Sequence, residues 1–452
     1  MPVLAQVCAV VIFLLMFAVI IINKFPRYVP ALAGGALTII IVFLIIMKSP
    51  ATVLHVLNFG QIGRSAFWLP GHEPLESAGV NWQTIIFIGG MMIMVEGLGK
   101  VGFFRWLCLY AARLVKYKVA AILVVFTLLA GFLAMFIDSI TVLLFFAMVT
   151  IELARLLKFD PVPIIIAEIF AANVGGAATM AGDPPNIIIG TALGYSFSDF
   201  LVNTGVIAWI GMIVSLVFFY VVFRKTLKAS QGRVITDPAA FPQANSAITK
   251  KGLFFTNIGV FLLVIVLLIT HAQTGISVAS IGVIAAGLTL LFGYNDAPYI
   301  IRKVDWRTLV FFFGLFICVS GLEQTGALQT LADFIKMISG GSLAAVITII
   351  LWVSAFASAV VDNIPFAATM IPVIRGLAAA GMPLPPLAWT LALGTDIGGN
   401  GTPIGASANV VGMAIAEKEG YPISWCRYLK YALPAMIMVV GICWLLLIVK
   451  YA

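Results

Sequence analysis

The chain has 452 residues, of which 62% are hydrophobic and only 10% charged. A soluble domain carries roughly a quarter charged residues, which excludes a soluble enzyme and a nucleic-acid binder. A mean hydropathy of +1.13 and a net charge of +8 describe a polytopic all-α membrane protein, in which the basic excess marks cytoplasmic loops rather than nucleic-acid contacts.

The first apolar run, residues 4–22, has no basic segment before it and no cleavage site, so it reads as a retained span rather than a signal peptide. Spans follow at 30–48 and 82–99, then an interrupted segment at 162–193 and a further span at 200–223. A polar stretch rich in Lys, Arg, Pro and Ser comes next. Spans then resume at 253–270, 275–293 and 306–322, with a second interrupted segment at 386–416 and a last span at 429–449. Each run is near the ~20 residues that a ~30 Å hydrocarbon core requires. Between the third and fourth spans of each half lies an apolar–Asp–apolar unit, at 119–157 and 341–380. Residues 103–118 carry Arg105, Arg113 and Lys116 near one helical face, which suits an interfacial helix.

The order of elements repeats. Trp82-Gln83-Thr84 returns as Trp306-Arg307-Thr308, and at the same offset Gly90 matches Gly314, Gly97 matches Gly321 and Asp138 matches Asp362. One residue less aligns Gly175-Gly176 with Gly398-Gly399, Thr179 with Thr402, Gly182 with Gly405 and Asn186 with Asn409. The chain is therefore read as two homologous halves, 1–224 and 253–452, joined by a linker at 225–252. Lys24, Arg27, Arg155, Lys158, the linker, Arg302 and Lys303 should be cytoplasmic. That assignment gives ten crossings with both termini outside, and Trp82 and Trp306 enter from opposite sides. Inverted repeats of this kind belong to secondary transporters, whose sites lie at the repeat interface near the midplane.

Two stretches are unsuited to plain spans. The first holds Asn173, Gly175, Gly176, Thr179, Asp183, Pro184, Pro185 and Asn186. The second holds Asp396, Gly398, Gly399, Asn400, Thr402, Pro403, Ser407 and Asn409. Paired glycines and prolines stop a helix, and unwound backbone at membrane depth is tolerated only where it is buried or lines a cavity. Freed carbonyls suit Na⁺, and half-helix N-termini at Asn186 and Asn409 suit an anion or an oxygen dipole. The bland alternative is a pair of surface loops, against which stands their occurrence at equivalent repeat positions. Asp138-Ser139-Ile140-Thr141 and Asp362-Asn363 form short polar tips between apolar arms, and an Asp in hydrocarbon points to function. Each unit is either a re-entrant hairpin or an ordinary pair of crossings, since both end on the same side. Glu96 and Glu168 are either proton carriers or paired structural carboxylates. His55, His72 and His271 read as loop residues without ligand spacing, and the five cysteines read as small core residues. No phosphate-binding loop, nucleophile–base constellation or cofactor motif stands out.

At these motifs the chain resembles the ion transporter superfamily. The nearest branch holds arsenite efflux permeases, NhaD-type sodium/proton antiporters and the melanosomal P protein. Asn173-Val174-Gly175-Gly176 with Gly182-Asp183-Pro184-Pro185-Asn186 looks like that branch's first broken helix. Gly398-Gly399-Asn400-Gly401-Thr402 with Gly405-Ala406-Ser407-Ala408-Asn409 looks like its second. The resemblance implies an inverted-repeat elevator-type transporter with two re-entrant hairpins and two broken helices. Scaffold spans would lie at 1–50 and 253–293, transport parts at 82–193 and 306–416. It also implies a homodimer in the plasma membrane and admits a soluble ATPase subunit as a partner. Carried over by position, Asp138-Ser139 with Gly175 and Thr179 would frame one Na⁺ site. Asp362-Asn363 with Gly398 and Thr402 would frame its mate. The expected function is H⁺- or Na⁺-coupled export of a small inorganic solute, arsenite or antimonite first and sodium/proton exchange second. Aspartates at both tips disfavour a citrate- or dicarboxylate-type anion through like charge. Neither motif holds a cysteine, so arsenite would be held as the neutral acid by Asn, Ser and Thr oxygens.

Overall fold

The structure, a computed structural model, describes residues 3–22, 24–69, 79–230 and 241–452, with 229 and 230 as backbone only. His72 and most of the linker lie outside the described residues. No strand occurs among the described residues.

The first half runs through α1 (Val3–Ile22), α2 (Tyr28–Leu37, continuing as a π-helix over Thr38–Ile46), α3 (Pro50–Leu57) and α4 (Ser65–Trp68). It continues through α5 (Trp82–Lys100), α6 (Phe103–Leu114), α7 (Val119–Ala134), α8 (Ser139–Leu157), α9 (Val162–Gly176), α10 (Pro184–Leu193), α11 (Phe197–Phe200) and α12 (Val206–Ser230). The second half begins with α13 (Lys251–Thr274), α14 (Val278–Phe292), α15 (Ala297–Lys303), α16 (Trp306–Thr325) and α17 (Ala327–Ile338). It ends with α18 (Leu343–Val360), α19 (Asn363–Ala379), α20 (Leu384–Gly398), α21 (Ser407–Lys418) and α22 (Trp425–Tyr451). Every predicted span falls on a helix or on a helix pair flanking a break.

Local chemistry repeats with the sequence. Asn81 caps α5 by accepting from the Thr84 amide, and Asp305 caps α16 by accepting from the Thr308 amide, so both helices start at the repeated tryptophan. A glycine with positive φ follows each, Gly326 capping α16 and Gly102 standing one residue past the Val101 cap of α5, where a side chain would be strained.

Among the described residues, nine helices are long and apolar enough to cross a membrane. Length alone includes the arms Ser139–Leu157 and Leu343–Val360 and omits α14 and the broken pairs. Three local expectations are corrected. His55 lies within α3 and His271 within α13, where its Nε2 accepts from the Phe197 amide. Lys116 falls beyond the end of α6 at φ 53°, so only Arg105 and Arg113 lie on that helix. Helix α12 continues to Ser230, into what reads as linker.

The halves are interlocked: α2 packs on α16 of the other half, and α14 packs on α5. Glycine makes both crossings. A Cβ on Gly90 would stand 2.1 Å from the Gly282 carbonyl oxygen, and one on its repeat mate Gly314 would stand 2.5 Å from the Ala31 carbonyl carbon. Small residues let helix backbones approach where lipid supplies no hydrophobic drive between helices. Gly90→Val should therefore cost about 1–3 kcal/mol through overpacking, whereas Gly287→Ala, with nothing within 4 Å of its Cβ, should not destabilise. Melting of the purified variants in detergent separates the two, and equal melting points would refute the close-packing account.

Candidate functional site

The arms α7–α8 and α18–α19 join at tight turns, and the tip aspartates begin the second arms. Asp138 accepts from the Thr141 amide at 3.2 Å and Asp362 from the Ile364 amide at 3.1 Å, so each carboxylate is spent in part on capping a helix. The turns lock onto the breaks identically in both halves. The Thr179 hydroxyl donates to the Met135 carbonyl, and the Thr402 hydroxyl to the Ala359 carbonyl. Gly182 sits under the Ala134 and Gly176 carbonyls, and Gly405 under those of Ser358, Ala359 and Gly399. Gly175 meets the backbone of Gly131, and Gly398 that of Ala355. These glycines are backbone contact points.

Each break leaves carbonyls without helical partners, and an asparagine answers them. The Asn186 amide donates to the Gly176 and Thr179 carbonyls, both at 3.0 Å. The Asn409 amide donates to the Gly399 and Thr402 carbonyls at 2.7 and 2.8 Å. The breaks then meet across the repeat interface, where Asn173 donates to the side-chain oxygens of Asn400 at 2.9 Å and Asn409 at 2.8 Å.

The acids gather around this crossing. The Ser139 hydroxyl donates to Asp183 at 2.7 Å. Asp183 interacts electrostatically with Asp138 and Asp362, and Asp396 with Asp183. Asp183, Asp362 and Asp396 are 2%, 5% and 0% exposed. Asp138 opens on a cavity of about 30 Å³ lined by Met91, Met92, Thr141, Gly182 and Pro184 among others. That is room for about two waters or a bare ion.

The structure gives the tip aspartates these immediate neighbours. The cavity at Asp138 is lined by Ala181, Gly182 and Pro184 rather than by Gly175 and Thr179. Asp362 meets Ser407 rather than Gly398 and Thr402, with 3.3 Å between their side-chain oxygens. It is also ion-paired with Arg27, which donates to Ser407 at 2.8 Å. In sequence Arg27 is one more loop charge before a span, and only its place across the chain gives it a partner. Arg375, a lone base in the apolar arm α19, is the second omission. It donates to the Ala192 carbonyl at the end of α10, where a cation suits the helix dipole. Its signal was present: a charge inside an apolar run. Glu168, fully buried on α9, accepts from Thr150 at 2.5 Å, and Glu96 is half-buried on α5. Among the described residues no group of three or more His, Cys, Asp or Glu is arranged to hold a metal ion.

Arg27→Gln keeps donors for Ser407 but leaves the buried Asp362 carboxylate without its countercharge. A loss of about 1–3 kcal/mol is expected, read as a lower melting point, and adding Asp362→Asn should restore most of it. A double variant as unstable as the single one would show that the pair contributes nothing.

Comparison with known proteins agrees with this architecture. The YdaH transporter of Alcanivorax borkumensis, known from a crystal structure, shares the fold with a TM-score of 0.58 over 98% of both chains, at 13% identity. A 46 kDa membrane protein of Mycobacterium leprae is 31% identical over 99% of both chains. An uncharacterized transporter of Mycobacterium tuberculosis is 32% identical over 94% of both. The human P protein is 30% identical, covering 90% of this chain and 58% of its own length. The citrate transporter family matches residues 17–394. With its apolar helices and paired helix breaks, this chain is a multi-pass membrane transporter and belongs to the citrate transporter family.

Proposed function

We propose that the chain is a cation-coupled secondary active transporter whose coupling ion, H⁺ or Na⁺, is carried by the aspartates around the two breaks. The observation behind this reading is the excess of buried carboxylate. Asp183, Asp362 and Asp396 are buried, the half-buried Asp138 acts on Asp183, and Arg27 pairs with Asp362 alone of the four. Buried like charges are too costly to keep ionised together without cations. A site of this composition alternates between proton-loaded or metal-loaded and solute-bound forms.

In this reading the halves are inverted repeats. α1, α2, α13 and α14 act as scaffold, and the arms and broken helices move as a body within a plasma-membrane homodimer. The cargo is a small inorganic solute. Neutral arsenous acid and Na⁺ itself both suit the Asn, Ser and Thr oxygens beside the acids. The family match supports a second cargo, citrate. Its carboxylates would meet repulsion at this site unless a neutralising cation entered with them.

Proteoliposomes with an imposed pH gradient, tested against Na⁺, arsenite, and citrate with or without a divalent cation, distinguish these cargoes. Gradient-driven flux of one of them is expected, and Asp138→Asn should reduce it to background while the variant still folds. Flux indifferent to both the gradient and Asp138→Asn would refute cation coupling at this site.

A further inference from the structure

Asn173 on α9 and Asp396 on α20 occupy equivalent positions in the two halves, and both are fully buried. Their partners are equivalent too. Asn173 donates to the side-chain oxygen of Asn409 at 2.8 Å, while the Asn409 amide is committed to two carbonyls of its own break. The Asn186 amide is committed in the same way to Gly176 and Thr179. Yet the Asn186 side-chain oxygen has no donor, and neither oxygen of Asp396 has a well-formed hydrogen bond, the Asn363 and Asn186 side chains lying close enough to act on that carboxyl without completing one.

Two buried acceptors side by side without a well-formed hydrogen bond cost roughly 1–3 kcal/mol each. In the first half's crossing the donor is an amide hydrogen of Asn173. A carboxyl group has the shape of a carboxamide and supplies the same hydrogen once it holds a proton. We propose that Asp396 is the proton-binding residue of this transporter, its protonated carboxyl donating to the side-chain oxygen of Asn186 as Asn173 donates to Asn409. The proton enters from water on one side, forms the O–H bond at Asp396, and leaves to water on the other side, so nothing else is consumed.

The charged surroundings favour this carrier. Asp183, between α9 and α10, acts directly on Asp396 and is itself held by Ser139. Asp362 at the start of α19 meets Arg27, Glu168 on α9 accepts from Thr150 through one oxygen while the other is unpartnered, and Arg375 on α19 is bound at Ala192. From α22 comes the buried, unpartnered Tyr428 hydroxyl, while α18 and α10 bring no titratable group. Among the described residues, no Lys, Arg or His acts on Asp396.

This assignment rests on the cation-coupled reading, narrows its ion to the proton, and has a readout independent of transport. Infrared spectra of the reconstituted full chain at neutral pH should show the carbonyl band of a protonated carboxyl. That band should lose intensity in Asp396→Asn and keep it in Asp138→Asn. Asp396→Asn should also fold, since an amide supplies the missing hydrogen permanently, but lose pH-gradient-driven accumulation. A band undiminished in Asp396→Asn, or proton-driven accumulation that survives it, overturns the proposal. If Asp396→Asn does not fold, carboxyl-labelled aspartate in the wild type decides: a band that fails to shift excludes Asp396. Wild-type transport indifferent to pH, with the Asp396 band present, would refute the coupled reading while leaving the protonation assigned.

Discussion

Backbone carbonyls released inside a membrane must find donors within the protein, because lipid offers none. Two helix breaks at the centre of this transporter create that demand, and Asn186 and Asn409 meet it by each bridging two carbonyls of its own break. The rest of the centre depends on those two carboxamides. With their amides committed, their oxygens are the groups left facing the other half, and whatever meets them must donate. Asn173 does so on one side. On the other side stands Asp396.

The breaks hold their shape because they are clamped from outside. Threonine hydroxyls tie each hairpin turn to its break, and glycines let the turn backbone lie against the break backbone at distances no side chain permits. The same device joins α5 to α14 and α16 to α2, exchanging contacts between the halves. Polar atoms and tightly packed backbone thus occupy a region where ordinary spans would show apolar side chains.

Repetition builds the frame, and departures from repetition carry the chemistry. Asp183 is matched by Ala406, Asn173 by Asp396, and Ser139 by Asn363. Arg27 stands at the N-cap of α2, whereas Ser277 caps α14. As a result Asp362 carries a countercharge from the chain while Asp138 opens on a small cavity. The two tips are alike in backbone and unlike in electrostatics.

The sequence by itself determined the membrane class, the duplicated order of elements, the two breaks and the tip aspartates. Each of these is a local property: hydropathy over a helix length, Gly and Pro that end helices, and a side chain that caps the next turn. It left open whether the arms cross or fold back, because composition is blind to where a helix ends up. It also gave Arg27 and Arg375 no partners and framed the acids with Gly175, Thr179, Gly398 and Thr402. Those four residues match between the halves because both clamps need them, and the tertiary structure uses them as clamp points. Only the folded chain brings Arg27 to Asp362 and leaves Asp396 beside an asparagine whose amide is already committed. The physical reason is that pairing of buried charge and polar groups is set by distances between segments far apart in sequence, and these arise when the two halves interlock.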